Sequence, residues 1–309
     1  MDNQSILYCG IDVSKKKLDV YFKGKVKQYD NTIKGIGKII IWTKQAHYIF
    51  ESTGGYERLA AWYLMKAGLP VSIINPQRIR DYAKSLGQFA KTDTIDSKMI
   101  YQYAHHANPR ESQLPTASYR RLCTLIDRRH QLIAMRISEQ NRLDLIPDTC
   151  IKELIITMVD HLNTQINIIE HQLDNLVKQN DEIRAKIEKM TKICGISNIT
   201  ALAVLAHLPE IGKLNKKEVA ALAGLAPYNR DSGGHRGKRY IYGGRAKVRT
   251  ALYMPAVCAI THNQHLRSFY LRLVNINHCP TKVALTAVMR KMIIALNSSL
   301  KNTDFLLAS

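Results

Sequence analysis

Four acidic residues stand where the backbone could gather them for chemistry on a phosphate. Asp12 ends an apolar, β-prone run in Gly10-Ile11-Asp12-Val13-Ser14. Glu51 ends a second short apolar run, just before Gly54-Gly55. Asp93 and Asp96 open a helical stretch in Lys91-Thr92-Asp93-Thr94-Ile95-Asp96, where the i, i+3 spacing puts both carboxylates on one face. Carboxylates brought together repel, and a divalent cation relieves the repulsion. Oxygen ligands suit Mg²⁺ or Mn²⁺. Two such ions can activate a nucleophile and stabilise a leaving oxygen at phosphorus. Each acid alone has a plainer role: Asp12 as a turn cap, Asp93 as a helix N-cap, Asp96 as a first-turn partner of the helix dipole. The ordered set of strand Asp, strand-end Glu and helical Asp pair is far more specific than any member.

A second constellation is built around a serine. Ser232 lies in Tyr228-Asn229-Arg230-Asp231-Ser232-Gly233-Gly234-His235-Arg236-Gly237-Lys238-Arg239, which runs on to Gly243-Gly244-Arg245-Ala246-Lys247-Val248-Arg249. The two glycines beside Ser232 would let a bulky substrate approach the backbone. Arg236, Lys238, Arg239, Arg245, Lys247 and Arg249 are candidate nucleic-acid-binding residues, the arginines as bidentate phosphate clamps. A serine so placed could attack phosphorus and form a covalent phosphoserine. The plainer alternative is a basic phosphate-binding loop with Ser232 as a turn residue. No general base is evident nearby, although His235 is close in sequence.

These residues need a scaffold. Short β-prone runs at 6–13, 18–22, 26–29, 48–51 and 71–74 alternate with helical stretches at 56–67, 77–86 and 92–106, which predicts an α/β domain over 1–110. The carboxylate set on that scaffold is the arrangement of a ribonuclease H-like (RuvC-like) nuclease domain. Residues 111–190 read as a helical, coiled-coil segment. Ile155, Val159, Leu162, Ile166, Ile169, Leu173, Leu176, Asn180, Ile183, Ile187 and Met190 follow alternating steps of four and three. Asn180 falls at an a position, where a buried Asn can fix register and partner number. This seam predicts a homo-oligomer, dimer or tetramer; the alternative is a helix packing on residues 117–145 of its own chain. Residues 191–309 read as a mostly α domain. It holds a Gly-containing turn at 194–201 that resembles half of a helix-hairpin-helix, the serine loop, and two closing helices near 248–262 and 281–300.

Bulk properties narrow the partner. Lys plus Arg number 45 against 25 Asp plus Glu, a net charge of +20. Charge this positive, spread over the chain, points to nucleic acid rather than to an anionic membrane surface. The six cysteines form no C-x-x-C pair, so a zinc site is not expected and a reducing, cytoplasmic setting fits. No signal peptide and no apolar run long enough to cross a bilayer are expected.

Taken together, the motifs resemble the DEDD transposases of a family of bacterial insertion sequences, with a pilin-gene invertase branch. The resemblance rests on Gly-Ile-Asp12-Val-Ser, Glu51-Ser-Thr-Gly-Gly-Tyr, Asn75-Pro76, Lys91-Thr-Asp93 with Asp96, Ala223-Gly-Leu-Ala-Pro, Asp231-Ser232-Gly, Gly-Gly-Arg245 and Val283-Ala-Leu-Thr-Ala-Val-Met-Arg290-Lys291. It spans essentially the whole chain. It implies a RuvC-like N-terminal domain and a C-terminal transposase domain. By position, Asp12, Glu51, Asp93 and Asp96 become Mg²⁺ (or Mn²⁺) ligands and Ser232 the nucleophile. DNA is the implied substrate, met in the bacterial cytoplasm at the nucleoid. Members that act as bridge-RNA-guided recombinases also bind a structured RNA, and whether this chain does so stays open. Two other readings stand beside recombination: a hydrolytic nuclease of the Holliday-junction resolvase kind, and a non-enzymatic nucleic-acid-binding protein.

Overall fold

The computed structural model describes residues 6–44, 46–52, 54–90, 92–113, 116–229, 237 and 239–301, with the side chains of Asp93 and Thr94 excepted. The chain forms two compact units, Met1–Pro115 and Thr116–Ser309.

The first unit is a mixed five-stranded sheet between two helical layers. Strands β1 (Tyr8–Val13), β2 (Lys17–Phe22) and β3 (Lys25–Asp30) form an antiparallel meander. Helix α1 (Ile33–Thr43) then leads to β4 (His47–Glu51), which pairs parallel with β1. Helix α2 (Glu57–Lys66) returns the chain to β5 (Val71–Ile74), parallel to β4, and α3 (Pro76–Ser85) and α4 (Asp93–Ala107) follow. The strand order is β3-β2-β1-β4-β5.

The period-2 alternation of side chains assigns the faces. Cys9, Ile11 and Val13 of β1 point into a core with Ile36 and Ile39 of α1 and Ala60, Ala61 and Leu64 of α2. Tyr8 of β1 and Ile49 of β4 point the other way, onto Met99, Ile100 and Ala104 of α4. Helix α1 was not legible in the sequence, where Gly35 and Gly37 interrupt the helical pattern. Thr32 caps it, its hydroxyl accepting from the Gly35 amide at 3.2 Å.

The second unit is almost wholly helical: α5 (Ala117–Leu143), α6 (Thr149–Lys178), α7 (Asp181–Met190), α8 (Asn198–His207), α9 (Lys216–Leu222), α10 (Ala246–His262), α11 (Gln264–Leu271) and α12 (Thr281–Lys301). A two-stranded ribbon, β6 (Pro227–Tyr228) with β7 (Tyr240–Ile241), stands between α9 and α10. One core joins Leu122, Leu125 and Ile126 of α5, Leu173 and Leu176 of α6 and Ile183 and Ile187 of α7 to the helices that follow.

The heptad seam takes a different form from the one its period suggests. Asn180 is no buried a-position residue. It is the N-cap of α7, its Oδ1 accepting from the Ile183 amide at 2.9 Å, and the helix breaks there. Upstream, the stripe packs on the chain's own α5. Leu162 and Ile166 meet Leu132, while Arg129 pairs with Glu170 and Arg136 donates to Asn163 at 3.0 Å, the register of an antiparallel hairpin. Intramolecular burial has the same 3.5-residue signature as a dimer seam, which is why the pattern alone could not separate the two.

Among the described residues, α12 is long and apolar enough to cross a membrane. Its apolar residues Leu285, Val288, Met292, Ile293 and Leu296 are instead buried in the helical core.

Candidate active site

The carboxyl ends of β1 and β4 and the first turns of α4 carry the predicted acids. The parallel register aligns Gly10 with Ile49 and Ile11 with Phe50. One step further, Asp12 falls beside Glu51, on neighbouring strands about 4.8 Å apart. Both face α4, because Gly10 and Ile49, two residues earlier, do so.

Gly10 is what lets α4 come close. A Cβ there would stand 2.4 Å from the Ser97 carbonyl oxygen and 2.6 Å from the Tyr101 amide nitrogen. Helix backbone therefore lies directly on β1, with Asp96 one residue before that contact. Thr92 caps α4, its hydroxyl accepting from the Ile95 amide at 3.3 Å, so Asp93 occupies the first helical position and Asp96 the first turn. Asp12, Glu51 and Asp96 are all half-buried.

A fifth acid was missed in the sequence. Asp19 of β2 lies directly across from Asp12 and is 7% exposed, with the Gln28 amide donating to it at 2.9 Å. Its signal was an Asp at an inward position of an otherwise apolar strand.

The donor set is all oxygen, which suits a hard cation. Among the described residues no group of three or more His, Cys, Asp or Glu is already gathered as a metal cage, and the Asp93 carboxylate lies outside that description. Mg²⁺ does not require such a cage. It commonly keeps waters and takes one or two carboxylates together with substrate phosphate. The arrangement therefore fits an ion completed by nucleic acid.

Ser232, Arg236 and Lys238 lie outside the described residues; the base of their loop does not. Gly224 (φ +66°) and Gly244 (φ +68°) meet backbone to backbone, since a Cβ on Gly244 would sit 2.2 Å from the Gly224 amide nitrogen. The Arg245 amide donates to the Leu222 carbonyl at 2.8 Å, and β6 pairs with β7. The two ends of the serine segment are thus locked together. The glycines of Ala223-Gly-Leu-Ala-Pro and Gly-Gly-Arg245 owe their identity to this close approach.

The basic candidates divide into two groups. Arg245 grips both oxygens of Glu210 at 2.6 Å and donates to the His207 carbonyl at 3.0 Å. Lys247 pairs with Asp127. Both anchor the start of α10 within the unit. Arg239 is exposed, and Arg249 donates to the Gly243 carbonyl at 2.6 Å, bracing the glycine turn. The turn at 194–201 has a packing cause as well: a Cβ on Gly195 would lie 2.5 Å from the Pro255 carbonyl oxygen of α10.

The anchor carries a pH signature. Burial holds the His207 imidazole down to about 4, against an attraction to Asp127 at 3.5 Å and helped by Lys247, His130 and Arg245. Burial alone would raise Glu210, but the Arg245 fork outweighs it and holds the carboxyl below its usual range. The folded state thus binds fewer protons than the unfolded chain as pH falls from about 6.5 toward 4, so stability declines over that window. The His207 contribution is up to ~3 kcal/mol. His207→Gln is expected to flatten the profile of melting temperature against pH between 6.5 and 4; a slope equal to that of wild type would refute the assignment.

Comparison with known proteins follows this geometry. Residues 9–146 match a family model described as transposase, and residues 187–271 match one described as transposase of the IS116/IS110/IS902 family. The chain is 27% identical over 301 residues to the pilin gene-inverting protein of Moraxella lacunata, covering 93% of each chain, and to that of Moraxella bovis over the same span. It is 24% identical over 295 residues to the transposase for insertion sequence element IS1111A of Coxiella burnetii, covering 82% of this chain and 74% of the relative. With its acids set at the ends of β1 and β4 and on the first turn of α4, and with both family models matched in order, the chain belongs to the IS110-type DEDD transposase family.

Proposed function

We propose that the protein is a DNA transposase or site-specific recombinase, with a ribonuclease H-like first unit, that cleaves and rejoins strands through its acids and Ser232. The observation that carries the reading is the placement of Asp12 and Glu51 at matching ends of paired parallel strands, under the helix that Asp93 opens. Family membership and relatives named for gene inversion and transposition support it. Asp12, Glu51, Asp93 and Asp96 would hold Mg²⁺ or Mn²⁺, which when bound supplies charge stabilisation at the scissile phosphate.

The serine step exchanges one phosphoester for another. The Ser232 oxygen bonds to phosphorus, and the bond to the departing strand's oxygen breaks. The serine proton ends on that oxygen. A hydroxyl of the incoming strand then attacks phosphorus and releases Ser232. Bond energy is conserved, so no nucleotide hydrolysis is needed.

DNA is the substrate and a guide RNA a candidate partner. The reading includes a homo-oligomer. The α5–α6 stripe is occupied within the chain, but Leu145, Leu154 and Met158 at the hairpin's tip and outer face are exposed and offer apolar surface for a second copy.

Incubating protein with Mg²⁺ and element-end DNA, with and without co-purified RNA, tests the reading. A covalent protein–DNA adduct that Ser232→Ala eliminates is the expected result. Free nicks without adduct would select the hydrolytic nuclease, and neither product would select a binding protein.

A further inference from the structure

The ribbon that carries the serine segment has a feature that neither the acids nor the serine explains. In β6 and β7, Tyr228 pairs in register with Tyr240, so their side chains share a face, and Tyr242 lies two residues on along the same strand direction. The rings follow one another as a ladder, 6.4 Å between the centroids of Tyr228 and Tyr240 and 6.5 Å between those of Tyr240 and Tyr242. Such rings normally go inside or against a neighbour. Here they stand out, 43%, 37% and 50% exposed. The ribbon is too short to need them as a core, and its base is already fixed by Gly224 and Gly244.

The surroundings are one-signed. Residues 237–250 contain Lys238, Arg239, Arg245, Lys247 and Arg249 and no acid. Exposed aromatic faces set among cations are the means by which proteins hold unpaired strands, bases stacking on rings while charge tracks the phosphates. An apolar protein partner would be expected to meet fewer charges, and a lipid surface would want an amphipathic helix.

We propose that Tyr228, Tyr240 and Tyr242 form a stacking platform for unpaired bases of single-stranded DNA. This rests on the recombinase reading for the identity of the polyanion. Strand exchange passes through unpaired ends, and the platform stands on the stem of the segment that bears Ser232. Its members are positioning residues: they hold bases, not the reacting atoms.

The test uses the full chain and a short thymine-rich DNA oligonucleotide carrying 2-aminopurine, whose fluorescence falls on stacking. Wild type is expected to quench the probe. Tyr240→Ala with Tyr242→Ala should abolish the quench and weaken binding about 5- to 100-fold, the loss of one or two stacked bases. Tyr240→Phe with Tyr242→Phe should keep both, since the ring and not the hydroxyl does the work. Duplex DNA of the same sequence should bind the Ala and wild-type proteins alike. Tyr240→Leu with Tyr242→Leu stands in if the Ala protein melts early, and should also lose the quench.

Retained quench in the Ala or Leu protein would overturn the platform. So would equal losses in the Ala and Phe proteins, or an effect confined to an RNA oligonucleotide. The two readings fail separately. Adduct formation by wild type without quench removes the platform alone, and quench without adduct removes the serine chemistry alone.

Discussion

Asp12→Asn is expected to abolish strand cleavage, by on the order of 10³-fold or more, while the protein folds and binds duplex DNA as before. The size follows from what a bound divalent ion supplies at phosphorus, several kcal/mol of charge stabilisation, at about 1.4 kcal/mol per tenfold in rate. Asn keeps the shape and removes the charge. Asp12 is half-buried at the end of β1, so the change should not disturb the core. Cleavage is one readout, and thermal shift with Mg²⁺ or Mn²⁺ is the other. Wild type should gain melting temperature with the cation, and Asp12→Asn should gain little. Asp93→Asn should behave alike if α4 delivers a ligand to the same ion. Asp19→Asn gives a useful contrast. That acid faces Asp12 across the ladder but is engaged by Gln28, so its loss should blunt cation affinity less. Full cleavage by Asp12→Asn in Mg²⁺ would sink the metal assignment whatever the other variants do.

Much of this geometry was legible beforehand, for a physical reason. Strands β1, β2, β4 and β5 are buried or half-buried segments in which apolar residues dominate and punctuation is clear, and an acid at such a strand's end is conspicuous. Asp12, Glu51, Asp93 and Asp96 were found that way. The register that sets Asp12 beside Glu51 was not, because strand pairing is a non-local choice. Nor was the role of Gly10, since a glycine in a strand does not say which backbone will press upon it. Asp19 was passed over because its strand neighbours Lys17 and Lys25 made it look like a member of a solvated face. The seam at 155–190 misled on Asn180: the residue that can specify a coiled-coil register is equally a preferred N-cap, and only the local break in the helix decides. The basic loop was read as uniformly phosphate-binding. Glu210 and Asp127, distant in sequence, turn Arg245 and Lys247 inward. Tyr228, Tyr240 and Tyr242 were overlooked because a two-residue ladder is too short for alternation to register.

Gly244→Ala is expected to open the base of the serine segment, and the neighbouring Gly243 provides its control. Both glycines have positive φ, +64° at Gly243 and +68° at Gly244. An L side chain in that region costs about 1–2 kcal/mol. At Gly243 a Cβ would meet nothing within 4 Å, so the cost stops there. At Gly244 it would lie 2.2 Å from the Gly224 amide nitrogen, 2.3 Å from its Cα and 2.9 Å from the Ala221 carbonyl oxygen. All three are backbone atoms, which cannot step aside as a flexible side chain can. Overpacking adds roughly 1–3 kcal/mol. The total of about 2–5 kcal/mol should lower the melting temperature of the helical unit by roughly 4–20 °C. Gly243→Ala should lose about 1–2 kcal/mol. The functional effect should exceed the thermal one. Relief of the contact means parting Gly224 from Gly244, which breaks the Arg245 amide bond to Leu222 and spreads the ribbon that presents Ser232 and the tyrosines. Adduct formation by Gly244→Ala should therefore be lost even at temperatures where circular dichroism reports a folded chain, while Gly243→Ala stays active. Equal melting temperatures and equal adduct yields for the two variants would mean that the backbone contact does not hold the serine segment in place.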